Sequence, residues 1–538
     1  MKLDKPLLSY FPVPHTPREH QIQGLQQIEE AINSGVKFII VQAPTGSGKS
    51  FFSKTLSNTT NEADPEYTKL VNNYQAFDKE FPPVFNRFPN HGLFALTTTK
   101  ALQDQYADLF EDSTVFKGKS NYQCEIDDSF TVDQAPCVIS PNQKKSCWAG
   151  CLCPYYEMRN EALIDKFTVL NYASFFNLPD HVKRRQIIVC DEASEVEDEI
   201  VKNFSVVVNY KSLDYLGIKV EKLKSEVSSK VLGWLSDVQS TTEDAIDSFN
   251  ERSRYEKNKI ELAKQRQRKD LCDAIKHTIN HWDDAQYIVE KDAEKVVVTP
   301  LKIDRLTHCL FDFADVVVLM SATIVDRDIF AKNLGITNYK YIEVPSTFDP
   351  KKSPIVLGNK LPLNHALLEK NLPGVLQEAV KISEYHKDEK GIIHTHTFKI
   401  TQELQKKLNS RRFLYREEGS TNETIIKEHN LRTDPTVLVS PSLTMGLDLK
   451  GDLGKWQIII KLPYLPLGNK RIKMLAEKDS DWYRMKMFIS LIQACGRCTR
   501  TKEDESCTYI LDGLSSKIVD SYRDKLPKHF LDRIYRSA

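Results

Sequence analysis

The chain of 538 residues carries 74 lysines and arginines against 74 aspartates and glutamates, giving no net charge. That excludes a protein that coats nucleic acid through a uniformly basic exterior; any such charge must be local, in a groove or pore. With 41% hydrophobic and 28% charged residues, the composition is that of a globular protein of about three or four ordinary domains.

The N-terminus, Met1 to Pro14, has an early charge pair and several prolines but no apolar stretch of the kind that directs export. About 40 residues precede the first glycine-rich loop, too few for a further N-terminal domain of ordinary size. The first strand pattern is Phe38 to Val41, followed by a glycine-rich turn and the helix-like Ser50, Phe51 and Phe52. Similar short apolar runs recur at Leu93 to Leu96, Phe167 to Leu170, Ile187 to Cys190 and Val316 to Met320. Each is apolar on consecutive residues, as in a parallel sheet covered on both faces. None approaches the roughly 20 residues that span a bilayer, so no membrane segment is expected.

A second set of strands is predicted at Gly391 to His394, Thr436 to Val439, Gln457 to Ile460 and Cys507 to Leu511, separated by helical patterns such as Leu367 to Tyr385. Two consecutive α/β domains are the simplest reading. Between them, residues from about 206 to 295 are charge-rich and almost free of glycine and proline, which predicts a long-helix insertion.

Eleven cysteines without an export signal point to a reducing intracellular compartment and free thiols rather than a disulphide framework. Cys190, Cys272, Cys309, Cys495, Cys498 and Cys507 are scattered and read as small hydrophobes. Cys124, Cys137, Cys147, Cys151 and Cys153 fall within 30 residues, with gaps of 12, 9, 3 and 1 residues. Such a group points to a metal. Zinc accepts four thiolates, but the paired C-x₂-C spacing of zinc ribbons is missing; an iron–sulphur cluster also needs four.

The strongest local motif is Ala43-Pro44-Thr45-Gly46-Ser47-Gly48-Lys49-Ser50. A glycine-rich loop between strand and helix turns backbone N–H groups toward phosphates; Lys49 can reach the β- and γ-phosphates and the Ser50 hydroxyl can ligate Mg²⁺. Ala43 stands where the full pattern has its first glycine. Asp191-Glu192-Ala193-Ser194 follows the Ile187 to Cys190 strand. In a P-loop ATPase the strand-end aspartate holds Mg²⁺ and the neighbouring glutamate orients the attacking water; the bland alternative is a solvated acidic turn, since Glu195, Glu197, Asp198 and Glu199 follow. Near the C-terminus, Gln493-Ala494-Cys495-Gly496-Arg497-Cys498-Thr499-Arg500 holds two arginines suited to stabilising charge on a transferring phosphoryl group.

In order along the chain these motifs resemble those of superfamily 2 helicases. Arg18 and Gln21 are similar to the adenine-sensing Q element, Thr97-Thr98-Thr99-Lys100 to motif Ia, Ser321-Ala322-Thr323 to motif III, Gly446-Leu447-Asp448 to motif V and the arginine segment to motif VI. The cysteine segment, running from Lys117-Gly118-Lys119-Ser120-Asn121-Tyr122-Gln123-Cys124 to Cys153-Pro154-Tyr155-Tyr156, resembles that of the XPD/DinG iron–sulphur DNA helicases.

The resemblance implies an α/β fold of two RecA-like motor domains. The first, at 1–116, 161–204 and 298–345, would carry an iron–sulphur domain at 117–160 and a helical arch at 205–297; the second would span 346–538. It implies a [4Fe–4S] cluster on Cys124, Cys137, Cys147 and Cys153, with Cys151 as the substitute for Cys147. ATP and Mg²⁺ would lie between Lys49, Ser50, Asp191 and Glu192 on one side and Gln493, Arg497 and Arg500 on the other, with Gly446 and Asp448 coupling nucleotide to DNA. The expected activity is 5′→3′ movement of a monomer on single-stranded DNA, unwinding forked duplexes, or translocation without strand separation, or a nucleotide-regulated DNA-binding module. Three basic runs, Lys117 with Lys119, His181 to Arg185 and Lys264 to Lys269, are candidate DNA contacts or ordinary solvated faces. Tyr122, Tyr155 and Tyr156 are candidates for stacking on bases or for packing.

Overall fold

The computed structural model describes residues 2–73, 83–135, 137, 153–251, 259–358, 360–441, 449, 451–499 and 503–536. The first half runs through β1 (Phe38–Gln42), β2 (Leu93–Thr97), β3 (Thr114–Phe116), β4 (Phe167–Asn171), β5 (Arg185–Asp191), β6 (Val206–Asn209), β7 (Tyr287–Lys291), β8 (Lys295–Pro300), β9 (Ala314–Ser321) and β10 (Tyr339–Glu343). The second half adds β11 (Ile355–Leu357), β12 (Gly391–His394), β13 (Phe413–Tyr415), β14 (Val437–Ser440), β15 (Trp456–Ile459), β16 (Cys507–Ile510) and β17 (Ile534–Arg536).

Seven of these form a parallel sheet in the order β10-β1-β9-β5-β2-β4-β3, and seven more a second parallel sheet in the order β13-β14-β12-β15-β16-β11-β17. The central strands are buried along their length, because helices cover both faces and every residue of the apolar runs finds a packing partner. All nine predicted strands are present, most extended or shifted by one or two residues. β3, β10, β11, β13 and β17 were not predicted. Four of the five lie at sheet edges, four are three residues long, and β10 alternates Tyr-Lys-Tyr-Ile-Glu because an edge strand need bury only part of its surface.

The region from about 206 to 295 corrects the expectation of helices throughout. Two long helices, Ser228–Glu251 and Lys259–Asn280, form its middle. Its two ends come together in an antiparallel sheet, β6-β8-β7, which pairs Val206 with Val298 and Val208 with Val296. The valine runs on either side are β-branched and favour the pleated conformation; their pairing spans about 90 residues, so neither end shows it alone. The described part of the cysteine segment rests on this insertion, where Phe130 packs against Phe249 and Leu262 and Asp133 pairs with Arg266. Among the described residues no helix is long and apolar enough to cross a membrane.

One hydrophobic cluster runs through both parallel-sheet domains, joining Ile188 and Leu319 of the first to Phe488, Leu491 and Ile510 of the second. Cys495 and Cys498 are fully buried in this region, as expected of packing residues. In the second sheet Gly391 lies opposite Trp456, and a Cβ on Gly391 would stand 2.2 Å from the indole Cε2 of this fully buried tryptophan. Gly391→Ala is therefore expected to cost about 1–3 kcal/mol through overpacking, measurable as a lower midpoint of denaturant unfolding with an unchanged slope.

Candidate active site

The order of the first sheet brings three predicted motifs together. β1, β9 and β5 are neighbours, with Gln42 opposite Ser321 and Asp191 opposite Met320, so the glycine-rich loop, Ser321 and the Asp191–Glu192 pair leave the sheet side by side at its carboxyl edge. That edge is where open α/β sheets bind ligands.

Gly46 and Gly48 have φ of +77° and +79°, the left-handed region that a side chain resists. Gly48 is also closely covered: a Cβ there would lie 2.4 Å from Gln21 Nε2. Gln21 donates from Nε2 to the Ser47 carbonyl at 3.1 Å and accepts from the Arg18 N–H at 2.9 Å, so Gln21 braces the loop. Ala43 is not among the positive-φ residues; its N–H donates to the Ser321 carbonyl at 2.9 Å and its side chain is fully buried. An alanine meets these demands, which accounts for the missing first glycine. Ser50 opens the helix Lys49–Asn58 on its first turn.

The two carboxylates after β5 sit in different electrostatic settings. Burial pushes Asp191 up to about 6, against the pull of Lys49, and its Oδ2 accepts from the Tyr106 hydroxyl at 3.1 Å. Burial would raise Glu192 as well, but the charge and hydrogen bond of Lys49, then the charge of Arg497, hold it below the usual carboxylate range. Lys49 Nζ lies 3.1 Å from Glu192 Oε1, and the Ser321 hydroxyl donates to Oε2 at 3.4 Å. Glu192 has φ +51°, costly for a residue with a side chain and typical of positions held by function.

Across from these groups a cleft of about 1330 Å³ is bordered by Pro44, Thr45 and Glu192 of the first domain and by Gln493 and Arg497 of the second. Gln493 Nε2 donates to Glu195 Oε1 at 3.3 Å. Arg500, Gly446, Asp448, Cys147 and Cys151 lie outside the described residues.

The sequence reading missed Tyr106 and, more consequentially, Glu197, which belonged to the presumed acidic turn. Glu197 is 4% exposed and receives four groups: Arg471 Nη2 at 2.7 Å, Lys486 Nζ at 3.3 Å, Trp482 Nε1 at 3.1 Å and Asn333 Nδ2 at 2.9 Å. Arg471 also donates to the Pro300 carbonyl at 2.9 Å, and Lys486 pairs with Asp198 at 2.9 Å. The first three donors come from the helices Lys470–Lys478 and Ser480–Cys495 of the second domain. Opposite-sign residues some 274 positions apart leave no local signal.

Of the predicted cysteines, Cys124 and Cys153 are buried and Cys137 half-buried. The basic runs are largely engaged within the protein. Lys117 pairs with Asp104, the buried Lys183 with Asp180, and the fully buried Arg185 donates to the Ala162 and Leu163 carbonyls, so the run ending at Arg185 is structural at that end rather than a DNA contact. Tyr122, Tyr155 and Tyr156 pack edge to face on one another at 5.6 and 5.1 Å.

Two parallel-sheet domains of RecA type thus face each other across a cleft bordered by the glycine-rich loop. Residues 382–533 match the helicase C-terminal domain family. Among solved structures, an XPD helicase is similar over 97% of this chain and 100% of its own, at 15% identity and a TM-score of 0.63. An apo XPD structure matches over 94% and 98%, at 16% and 0.58. Xpd4 of S. tokodaii matches over 95% and 99%, at 15% and 0.55. No curated protein sequence matches the chain. The chain therefore has the XPD-type helicase fold.

Glu197 is held at about 2, because Lys486 and then Arg471 overcome the upward push of its burial. A carboxylate depressed in the folded state contributes stability that is present above its unfolded value of about 4.3 and lost as pH falls toward 2. Glu197→Gln, which leaves the buried Arg471 without its carboxylate while Lys486 keeps Asp198, is expected to cost about 3–5 kcal/mol at neutral pH. It should also flatten the acid limb of the stability profile; urea titrations between pH 7 and 3 measure both.

Proposed function

We propose that this chain is an ATP-driven DNA helicase of the iron–sulphur type. The observation that carries the reading is one interdomain cleft bordered by Glu192 on one side and Gln493 and Arg497 on the other, with Lys49 bonded to Glu192 and Asp191 next to it in the chain. Lys49 would leave Glu192 for the β- and γ-phosphates of ATP; Ser50 and Asp191 would hold Mg²⁺. Glu192, kept ionised, would orient the attacking water, and Arg497 with Arg500 would neutralise charge on the γ-phosphoryl. Gln493 would sense the nucleotide, while Gly446 and Asp448 would pass its state to DNA. Cleft closure would then move one DNA-contacting domain relative to the other.

DNA as track, 5′→3′ polarity and action as a monomer follow from the resemblance to XPD/DinG enzymes, as do the domain limits at 117–160 and 205–297. Contact between the cysteine segment and the helical insertion through Phe130 supports an enclosed path beside the first motor domain, in keeping with a chain of no net charge. ATPase assays and a fluorescent forked duplex with a 5′ tail test the reading. The wild type should hydrolyse ATP in a DNA-stimulated manner and release the strand; Glu192→Gln should bind ATP yet turn over at least 100-fold more slowly. Stimulated hydrolysis without strand release would leave a translocase.

The cysteines fit a cluster. Cys137 and Cys153 both lie close enough to the Tyr156 hydroxyl to raise it, after burial and Tyr155, and Cys124 is buried with them in the same segment. Cys124, Cys137, Cys153 and Cys147, or Cys151 in its place, would hold a [4Fe–4S] group, which when bound cross-links the segment that carries them. Anaerobically purified protein is expected to be brown, with about four irons per chain; a colourless zinc protein would overturn this assignment and leave the ATPase reading standing.

A further inference from the structure

Cys309 is one of the scattered cysteines expected to act as a small hydrophobe, and its surroundings are not apolar. Its Sγ lies 3.3 Å from His308 Nε2 and almost equally far from the two ring nitrogens of His281, 3.8 Å from Nδ1 and 3.9 Å from Nε2, so that a turn of the His281 ring would aim Nε2 at a shared ion. His281, His308 and Cys309 are the one group among the described residues whose three donor atoms lie within 4.8 Å of one another. His281 follows the helix Lys259–Asn280 on the returning limb of the insertion, whereas His308 and Cys309 open the short helix His308–Phe311 ahead of β9.

The outer nitrogens decide what these rings offer. His281 Nδ1 lies 2.7 Å from Asp284 Oδ2, and His308 Nδ1 lies 2.5 Å from the Arg305 carbonyl. A carboxylate and a carbonyl only accept, so each neutral ring must carry its proton on Nδ1, which leaves both Nε2 lone pairs bare. Two bare nitrogens and a sulphur thus converge with a single thiol proton among them. One proton satisfies one acceptor; a cation satisfies all three. Imidazoles held through the opposite nitrogen by a carboxylate and a backbone carbonyl are the usual partners of metal-binding histidines.

We propose that His281 Nε2, His308 Nε2 and Cys309 Sγ form a zinc site, separate from the cysteine segment and the ATP cleft, that fastens the returning limb of the insertion to the first motor domain. Zn–S and Zn–N bonds of about 2.3 and 2.05 Å at tetrahedral angles give an S···N separation of about 3.6 Å, between the 3.3 and 3.9 Å found here. Nitrogen and sulphur donors suit Zn²⁺ over Mg²⁺ or Ca²⁺. Burial pushes the Cys309 thiol up to about 12, so ligation displaces its proton to solvent as the Zn–S bond forms. The His308 side chain is 44% exposed, giving the ion a way in and a place for a water as fourth ligand. Phe204 backs the site, its ring 5.1 Å from that of His281.

The test uses the full chain, stripped with chelator and titrated with Co²⁺ as a spectroscopic stand-in for Zn²⁺. One equivalent with thiolate charge-transfer absorption is expected to disappear in Cys309→Ser and in His308→Ala and to persist in Cys124→Ser. Asp284→Asn, which disturbs only the outer hydrogen bond, should weaken Co²⁺ binding about 10–100-fold. Added Zn²⁺ should raise the melting temperature of the wild type and not of His308→Ala, whose exposed side chain makes misfolding of that variant unexpected. Co²⁺ binding unchanged in Cys309→Ser and His308→Ala, or lost only in Cys124→Ser, overturns the proposal.

Discussion

A single carboxylate, out of reach of water, organises the meeting of the two domains. Glu197 lies five residues beyond Glu192, on the helix Val196–Asn203, and stays ionised where an isolated charge would be prohibitively costly. It can do so because Arg471, Lys486 and Trp482 arrive from the other domain and Asn333 from its own. Such a network contributes little net stability compared with an apolar replacement, but it admits few alternatives. A misplaced second domain would strand three charges at once. The apolar cluster beneath it supplies adhesion; the ionic contact supplies register, and register is what brings Gln493 and Arg497 to the cleft.

The same economy governs the carboxylate pair after β5. Asp191 and Glu192 are adjacent carboxylates, and two like charges so close disfavour each other's ionisation. Lys49 breaks the tie by bonding Glu192, so burial prevails at Asp191 and is overcome at Glu192. Tyr106 and Ser53 complete the arrangement, the phenol bonded to both Asp191 and the Ser53 hydroxyl. Divergent proton affinities in neighbouring groups are how one site assigns different tasks to chemically similar side chains.

What the sequence made legible was local. The glycine-rich loop, the strand-end acids and the apolar strands each lie within a dozen residues and obey short-range rules, so nine strands and the placing of the P-loop against Asp191 could be read directly. Ala43 looked like a defect because φ is invisible in sequence; the backbone at that position never needed a glycine. Features built from distant segments stayed hidden. Val206 pairs with Val298 across the whole insertion, Glu197 with Arg471 across half of the chain, and Cys309 acquires His281 as a neighbour only when the insertion returns to the sheet. Arg185, read in a basic run, spends its donors on buried carbonyls because the strand carries it inside.

Trp482 and Lys486, which grip Glu197, share one continuous helix with Gln493. Lys486 and Gln493 are seven residues apart, about 10 Å along the axis at ~1.5 Å per residue. A rigid helix fixed at one end is a lever whose fulcrum is that buried carboxylate. A tilt of about 5° would carry the glutamine end by roughly 1 Å, the scale of shifts that packed helices accommodate by sliding. The Glu197 contact thus need not compete with the proposed closing of the cleft; it would set the short arm about which such a movement turns.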